Sequence, residues 1–132
     1  MVEYLRTFRN DETGSASVES LFWIPIFVYF LVLVLDVSSI FFGKAQILQD
    51  VQDANRALSI GVLTTEAETE EFIKTAIASF STNATIDAVI NTNTGIVTTD
   101  VSVPASDLMA LGSIPVFAST IINVSVQQVL EH

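Results

Sequence analysis

The sequence has no cysteine and a single histidine, His132, its last residue. Disulfide frameworks, thiol nucleophiles and Cys/His zinc sites are thereby excluded. No Ser-His-Asp triad is expected, because a histidine at a fraying terminus is not held in the geometry that proton transfer requires. Basic residues are scarce, with five Lys and Arg against 15 Asp and Glu and a net charge of −10 over 132 residues. All five bases (Arg6, Arg9, Lys44, Arg56, Lys74) lie in the first 74 residues, and from Gly61 onward eight acids face one lysine. A basic face for nucleic acid therefore has nothing to be built from. Charge of either sign is low, at 15% of residues, while half of the chain is hydrophobic. The mean hydropathy of +0.55 exceeds that of an ordinary soluble domain and points to a membrane segment. The length suits about one domain.

What is present begins with an apolar run. Leu21 to Leu35 is fifteen residues without a charge or side-chain amide, and counting on through Asp36, Ser38 and Ser39 to Phe42 gives 22. At a helical rise of about 1.5 Å per residue these cross the roughly 30 Å hydrocarbon core of a bilayer once. Pro25 falls in the first two turns, where a helix tolerates it best, and is a candidate kink. Beyond Gly43, Ile47, Leu48, Val51, Ala54, Ala57 and Leu58 recur at three- and four-residue steps, with polar residues between them. The pattern predicts one long helix over about 20–60 with Gly61 near its stop. Its outer half is amphipathic and requires a partner surface, either its own C-terminal domain or a bundle of neighbouring helices.

Thr64-Thr65 followed by Glu66, Glu68, Glu70 and Glu71 marks a second helix start, with capping-box spacing between Thr65 and Glu68. Phe72, Ile73, Ala76, Ile77 and Phe80 supply its apolar face. The glutamates read as a solvated first turn rather than a metal site, since no histidine or second acidic cluster accompanies them. Thr85 to Ile90 alternates, Asn91 to Gly95 reads as a turn, and Ile96 to Val103 alternates again. Pro104 closes that strand, a loop with Gly112 and Pro115 follows, and Ser119 to Leu130 reads as a final strand. The expected fold is α+β, with a small antiparallel sheet of three or four strands covered by the helices. So small a domain is expected to lean on the long helix for its core.

The segment before the apolar run, Gly14-Ser15-Ala16-Ser17-Val18-Glu19, admits three readings. A secretory signal would have basic residues ahead of the apolar core, as Arg6 and Arg9 are, and small residues after it, as in Val37-Ser38-Ser39. Against it, Glu3, Asp11, Glu12 and Glu19 make the leader acidic, and Asp36 abuts the core. A plain single-span anchor is the second reading. For the third, a short polar leader ends in Gly14, small residues follow, and a glutamate stands fifth after that glycine at the head of an apolar helix.

This arrangement resembles the processing site of type IV prepilins. More narrowly, the chain resembles the TadE/TadF-like minor pilins, or pseudopilins, of tight-adherence (Flp-type) pilus systems. The matching residues are Phe8-Arg9, Asp11-Glu12, Gly14, Val18-Glu19 and Pro25, with Ala54 and Arg56 in the polar continuation. The family commonly has an aromatic residue directly after the glutamate, where this chain has Ser20. Major Flp pilins are little more than the helix, so the appended domain fits a minor component.

The resemblance implies a leader over 1–14, a transmembrane helix over 15–43 and an extracytoplasmic helix with a small α+β domain over 44–132. It implies cleavage between Gly14 and Ser15 by a prepilin peptidase in the bacterial inner membrane. It further implies pairing of Glu19 with the new N-terminal amine of a neighbouring subunit, which would set axial register. Partners would be the peptidase, other pilins and pseudopilins, the inner-membrane assembly platform and the lipid bilayer, and the cell-level consequences adhesion and biofilm formation. No catalytic residue, cofactor or metal is expected. Asp36 is expected at the outer interface, hydrated, with an intersubunit polar contact as the alternative. Arg56 is expected to pair with Asp53 or Gln52 or to make a contact to the acidic domain, and is the other candidate for an intersubunit polar contact. Asn83-Ala84-Thr85 and Asn123-Val124-Ser125 match the glycosylation pattern, which means little in a bacterial chain. The alternatives are a pseudopilin of a secretion system and a single-span sensor or scaffold with an acidic binding domain.

Overall fold

The computed structural model describes residues 12–131. The leader residues 1–11, with Arg6, Phe8, Arg9 and Asp11, lie outside the described residues, as does His132. The architecture is α+β: helix α1 (Glu12–Ser59), helix α2 (Glu66–Ile77), strands β1 (Thr85–Asn91) and β2 (Ile96–Pro104), short helices α3 (Ala105–Leu108) and α4 (Pro115–Ala118), and strand β3 (Ile121–Val129). The chain separates into two compact units between Val34 and Leu35.

Over the described residues 12–34 the first unit is helix alone. From Gly14 to Leu31 every residue is exposed, including Leu21, Phe22, Trp23, Ile24, Ile26 and Phe27. The helix continues through Pro25, whose missing N–H falls where the expected interior bond would have been made. It begins at Glu12, eight residues before the start expected at Ser20. The small residues of 14–17 extend the helix, and Ser20 Oγ turns back to donate to the Ala16 carbonyl at 2.9 Å.

The second compact unit begins at Leu35. Ile47, Val51 and Ala54 of α1 pack with Ile73 and Ile77 of α2, Val101 and Val103 of β2, Leu108 of α3 and Val124 of β3. The stripe read from the sequence is thus the core stripe, packed on its own domain, except for Leu48, which is exposed. Burial of such side chains stabilises by about 1.5–3 kcal/mol each.

Past Ser59 the chain turns off through Gly61, at φ +79, a left-handed conformation that glycine alone adopts without strain. The Gly61 N–H donates to the Leu58 carbonyl at 3.1 Å and the Val62 N–H to the Ala57 carbonyl at 2.8 Å, the paired bonds of a Schellman stop. Helix α2 opens with the predicted capping box: Thr65 Oγ1 accepts from the Glu68 N–H at 3.2 Å, and Glu68 Oε2 accepts from the Thr65 N–H at 3.3 Å. Glu68 also accepts from the Thr64 N–H and hydroxyl, and these Thr64 bonds lead the causes that hold its carboxyl below the ordinary value.

The sheet is an antiparallel meander in the order β1-β2-β3, with Val101 of β2 opposite Ile86 on one side and Val124 on the other. On β2, Val97, Thr99, Val101 and Val103 face the core, while Asp100 is exposed. The final strand starts at Ile121, two residues later than expected, and the expected loop holds α3 and α4.

Candidate functional site

The residues singled out at the N-terminal end of α1 lie close together along the chain. Gly14 and Ser15 occupy its first two turns, and Gly14 has open space around it, with nothing within 4 Å of where a Cβ would stand. The scissile bond implied by the prepilin resemblance is therefore helical, not extended, and a peptidase would have to unwind the helix end. Glycine eases that, since it weakens a helix by roughly 1 kcal/mol relative to alanine. Glu19 is exposed, one turn beyond Ser15. Around and beyond it the exposed apolar surface is continuous in sequence, Val18 and then Leu21 to Leu31, and resumes at Val34 and Leu35. Such a surface is unstable in water and demands lipid or apolar partners. By length and composition α1 is able to cross a membrane once.

Asp36 stands directly after that run, and its surroundings differ from the hydrated boundary position expected of it. The side chain is 0% exposed. Oδ1 accepts the Leu111 N–H at 2.8 Å, and Oδ2 accepts the Ser113 N–H at 2.9 Å and the Ser113 hydroxyl at 2.5 Å. Gly112, between the two backbone donors, has φ +63. That conformation turns consecutive N–H groups toward one point and makes a small anion-binding concavity. The carboxylate thus joins α1 to the loop before α4 within one chain. Sequence reasoning missed Leu111 and Ser113, because nothing local pairs residue 36 with a loop 75 positions on. Gly112 between two small-loop residues was the only available signal.

Arg56 is exposed in the last turn of α1. Its neighbour Asn55 is the buried polar residue: Asn55 Oδ1 accepts from Thr99 Oγ1 at 2.6 Å, and Asn55 Nδ2 donates to the Val126 carbonyl at 3.4 Å. Ser59 Oγ donates to the Val129 carbonyl at 2.9 Å. These bonds set the register of α1 against the sheet.

The glutamate run is not simply solvated. Glu66 Oε1 accepts the Ile90 N–H at 2.6 Å and Glu70 Oε1 accepts the Ala88 N–H at 3.1 Å. Two donors on the open edge of β1 are thereby occupied by side chains of α2. Both asparagines of the glycosylation-like patterns are engaged within the fold. Asn83 Nδ2 donates to Asp107 Oδ2 at 3.2 Å, and Asn123 Oδ1 accepts the Ser102 hydroxyl at 2.9 Å. Among the described residues no three His, Cys, Asp or Glu side chains converge in a way that could hold a metal ion.

Compared with protein-family models, characterised proteins and solved structures, the chain matches none of them. What its own geometry supplies is one apolar helix near the N-terminus, compatible with a single-pass anchor, and an α+β domain built onto that helix's other half.

Proposed function

We propose that the chain is a minor pilin or pseudopilin of a tight-adherence type IV pilus, a non-enzymatic subunit that assembles through its long helix. The supporting observation is one arrangement: an exposed apolar helix, headed by Gly14 and Glu19, whose later residues form the core of a small α+β domain. In this reading the leader lies in the cytoplasm and the acidic domain outside the inner membrane. Prepilin peptidase cuts between Gly14 and Ser15, freeing an amine. Glu19, awkward at a membrane boundary unless paired, meets the amine of a neighbouring subunit and sets axial register. The exposed faces of Leu21 to Leu31 then pack against other pilins as the filament leaves the bilayer.

The deciding experiment is the intact mass and N-terminal sequence of membrane-extracted protein, with and without co-expressed prepilin peptidase. The expected result is a peptidase-dependent start at Ser15, abolished by Gly14→Leu. Glu19→Ala is expected to leave cleavage intact and impair incorporation into pili. A chain still starting at Met1 beside active peptidase would replace this reading by an anchored sensor or scaffold, and a start after Ser39 by a secreted domain.

A further inference from the structure

The end of the domain nearest Asp36 carries apolar side chains that the fold leaves uncovered. Phe41 is 69% exposed, Phe42 66%, Leu111 61% and Val116 77%. Phe41 and Phe42 belong to α1, and Val116 neighbours Phe117 in α4. Phe41 and Phe117 share an apolar groove of about 280 Å³ with Val37, Ile40 and Ile122. Phe42 lines a second cavity with Leu35, Ser38, Ala110 and Asp107, whose carboxylate accepts from Ser81 and Asn83. Leu111 is held by the bond from its N–H to Asp36.

In a chain of net charge −10, no charged residue occurs from Leu108 to Leu130. The one charge within Leu35 to Phe42 is Asp36, buried and fully engaged. Water does not favour so uncharged a collar of exposed rings and branched side chains, whereas a bilayer interface does. The run from Leu35 to Phe42 rises about 10 Å along a helix axis, which matches the roughly 5–10 Å depth of interfacial insertion. Lys44, exposed just beyond it, suits the headgroup level of an anionic membrane.

We infer that this collar, Phe41, Phe42, Leu111, Val116 and Phe117, is seated in the lipid interface, so that the domain wades in the membrane surface instead of standing clear of it. The Asp36 clasp is what holds Leu111 and the start of α4 at that level. The inference rests on the reading of the apolar part of α1 as a membrane span, because Asp36 follows that run directly. Lipid is chosen over a protein partner because Phe41 and Phe42 follow, in sequence, the exposed apolar run that ends at Leu35.

The chain's single tryptophan, Trp23, lies within the span and makes the test self-controlled. Full-length protein is reconstituted into phosphatidylethanolamine–phosphatidylglycerol vesicles whose acyl chains are brominated at a shallow or a deep carbon. Wild type reports on the span. Val116→Trp and Leu111→Trp, each in a Trp23→Phe background, report on the collar, and Val62→Trp, 70% exposed beyond the helix stop, is the distal control. The expected result is loss of emission at 111 and 116 with shallow bromines, quenching of Trp23, and none at 62. Quenching of Trp23 without quenching at 111 and 116 would overturn the inference and leave the span intact. Unquenched Trp23 would remove the span and the inference with it. Blue-shifted but unquenched emission at 111 and 116 that changes with the protein-to-lipid ratio would assign the collar to a second copy of the chain, and so also overturn it. Two independent positions, both exposed in wild type, guard against a variant that fails to fold.

Discussion

Asp36 shows how much one buried carboxylate decides in a small domain. Its oxygens take three donors from the loop between α3 and α4. Replacing the residue with asparagine keeps the shape but turns one oxygen into a donor facing a donor. Asp36→Asn is expected to lower the apparent Tm of the detergent-solubilised protein by about 5 °C or more and to open residues 109–114 to proteolysis. An unchanged Tm would mean that the loop is held by its apolar contacts alone. Asp50 presents the opposite case. Desolvation, followed by repulsion from Asp53, raises its carboxyl above the ordinary value of 3.8. A group whose folded-state pKa is raised weakens the fold once ionised, so wild-type stability declines as pH rises through that window. Asp50→Asn is therefore expected to raise Tm relative to wild type at neutral pH, with the advantage disappearing as the pH falls toward 3.8. Paired melts of the two proteins across that range check the sign.

Among the elements, α2 does more than complete the core. Its inner face supplies Ile73 and Ile77, while Glu66 and Glu70 accept from alternate amides of β1. An edge strand with free donors is a template for unwanted pairing, and these carboxylates block it. The double variant Glu66→Ala, Glu70→Ala is expected to reduce hydrogen-exchange protection of the Ala88 and Ile90 amides about tenfold and to raise self-association. Unaltered exchange at both amides would show that the edge is protected by burial. The helix itself should persist, because its start rests on Thr65 and Glu68, which these changes leave in place. The capping box was legible in the sequence because its partners stand three residues apart. The bonds from α2 to β1 were not, because they join residues 18 and 24 positions apart that only folding brings together.

For the whole molecule, the pilin proposal commits the domain to the outer side of the inner membrane. Charge flanking the span does not choose, since Arg6 and Arg9 precede it and Lys44 and Arg56 follow it. The absence of cysteine makes a direct measurement simple. A cysteine introduced at Val62 is expected to react with a membrane-impermeant maleimide in intact spheroplasts, and one at Val2 only after permeabilisation. The reverse pattern would place the domain in the cytoplasm and end the pilin proposal. Partition into membranes with both labels excluded would instead indicate that neither end is accessible.

Alone, the sequence determined the elements: the apolar run, the stripe at 47–58, the capping box, and the hairpin closed where the Gly95 N–H meets the Asn91 carbonyl at 2.8 Å. Each of these follows from periodicity or from partners a few residues apart, so the physics that makes them is local. Tertiary structure alone decided that the stripe packs on its own sheet and that the second compact unit starts at Leu35. It also decided that Asp36 is buried instead of hydrated. Those outcomes depend on a loop more than seventy residues away reaching back to satisfy a carboxylate. Burying a charge is tolerable only where such donors converge, and their convergence is a property of the folded chain.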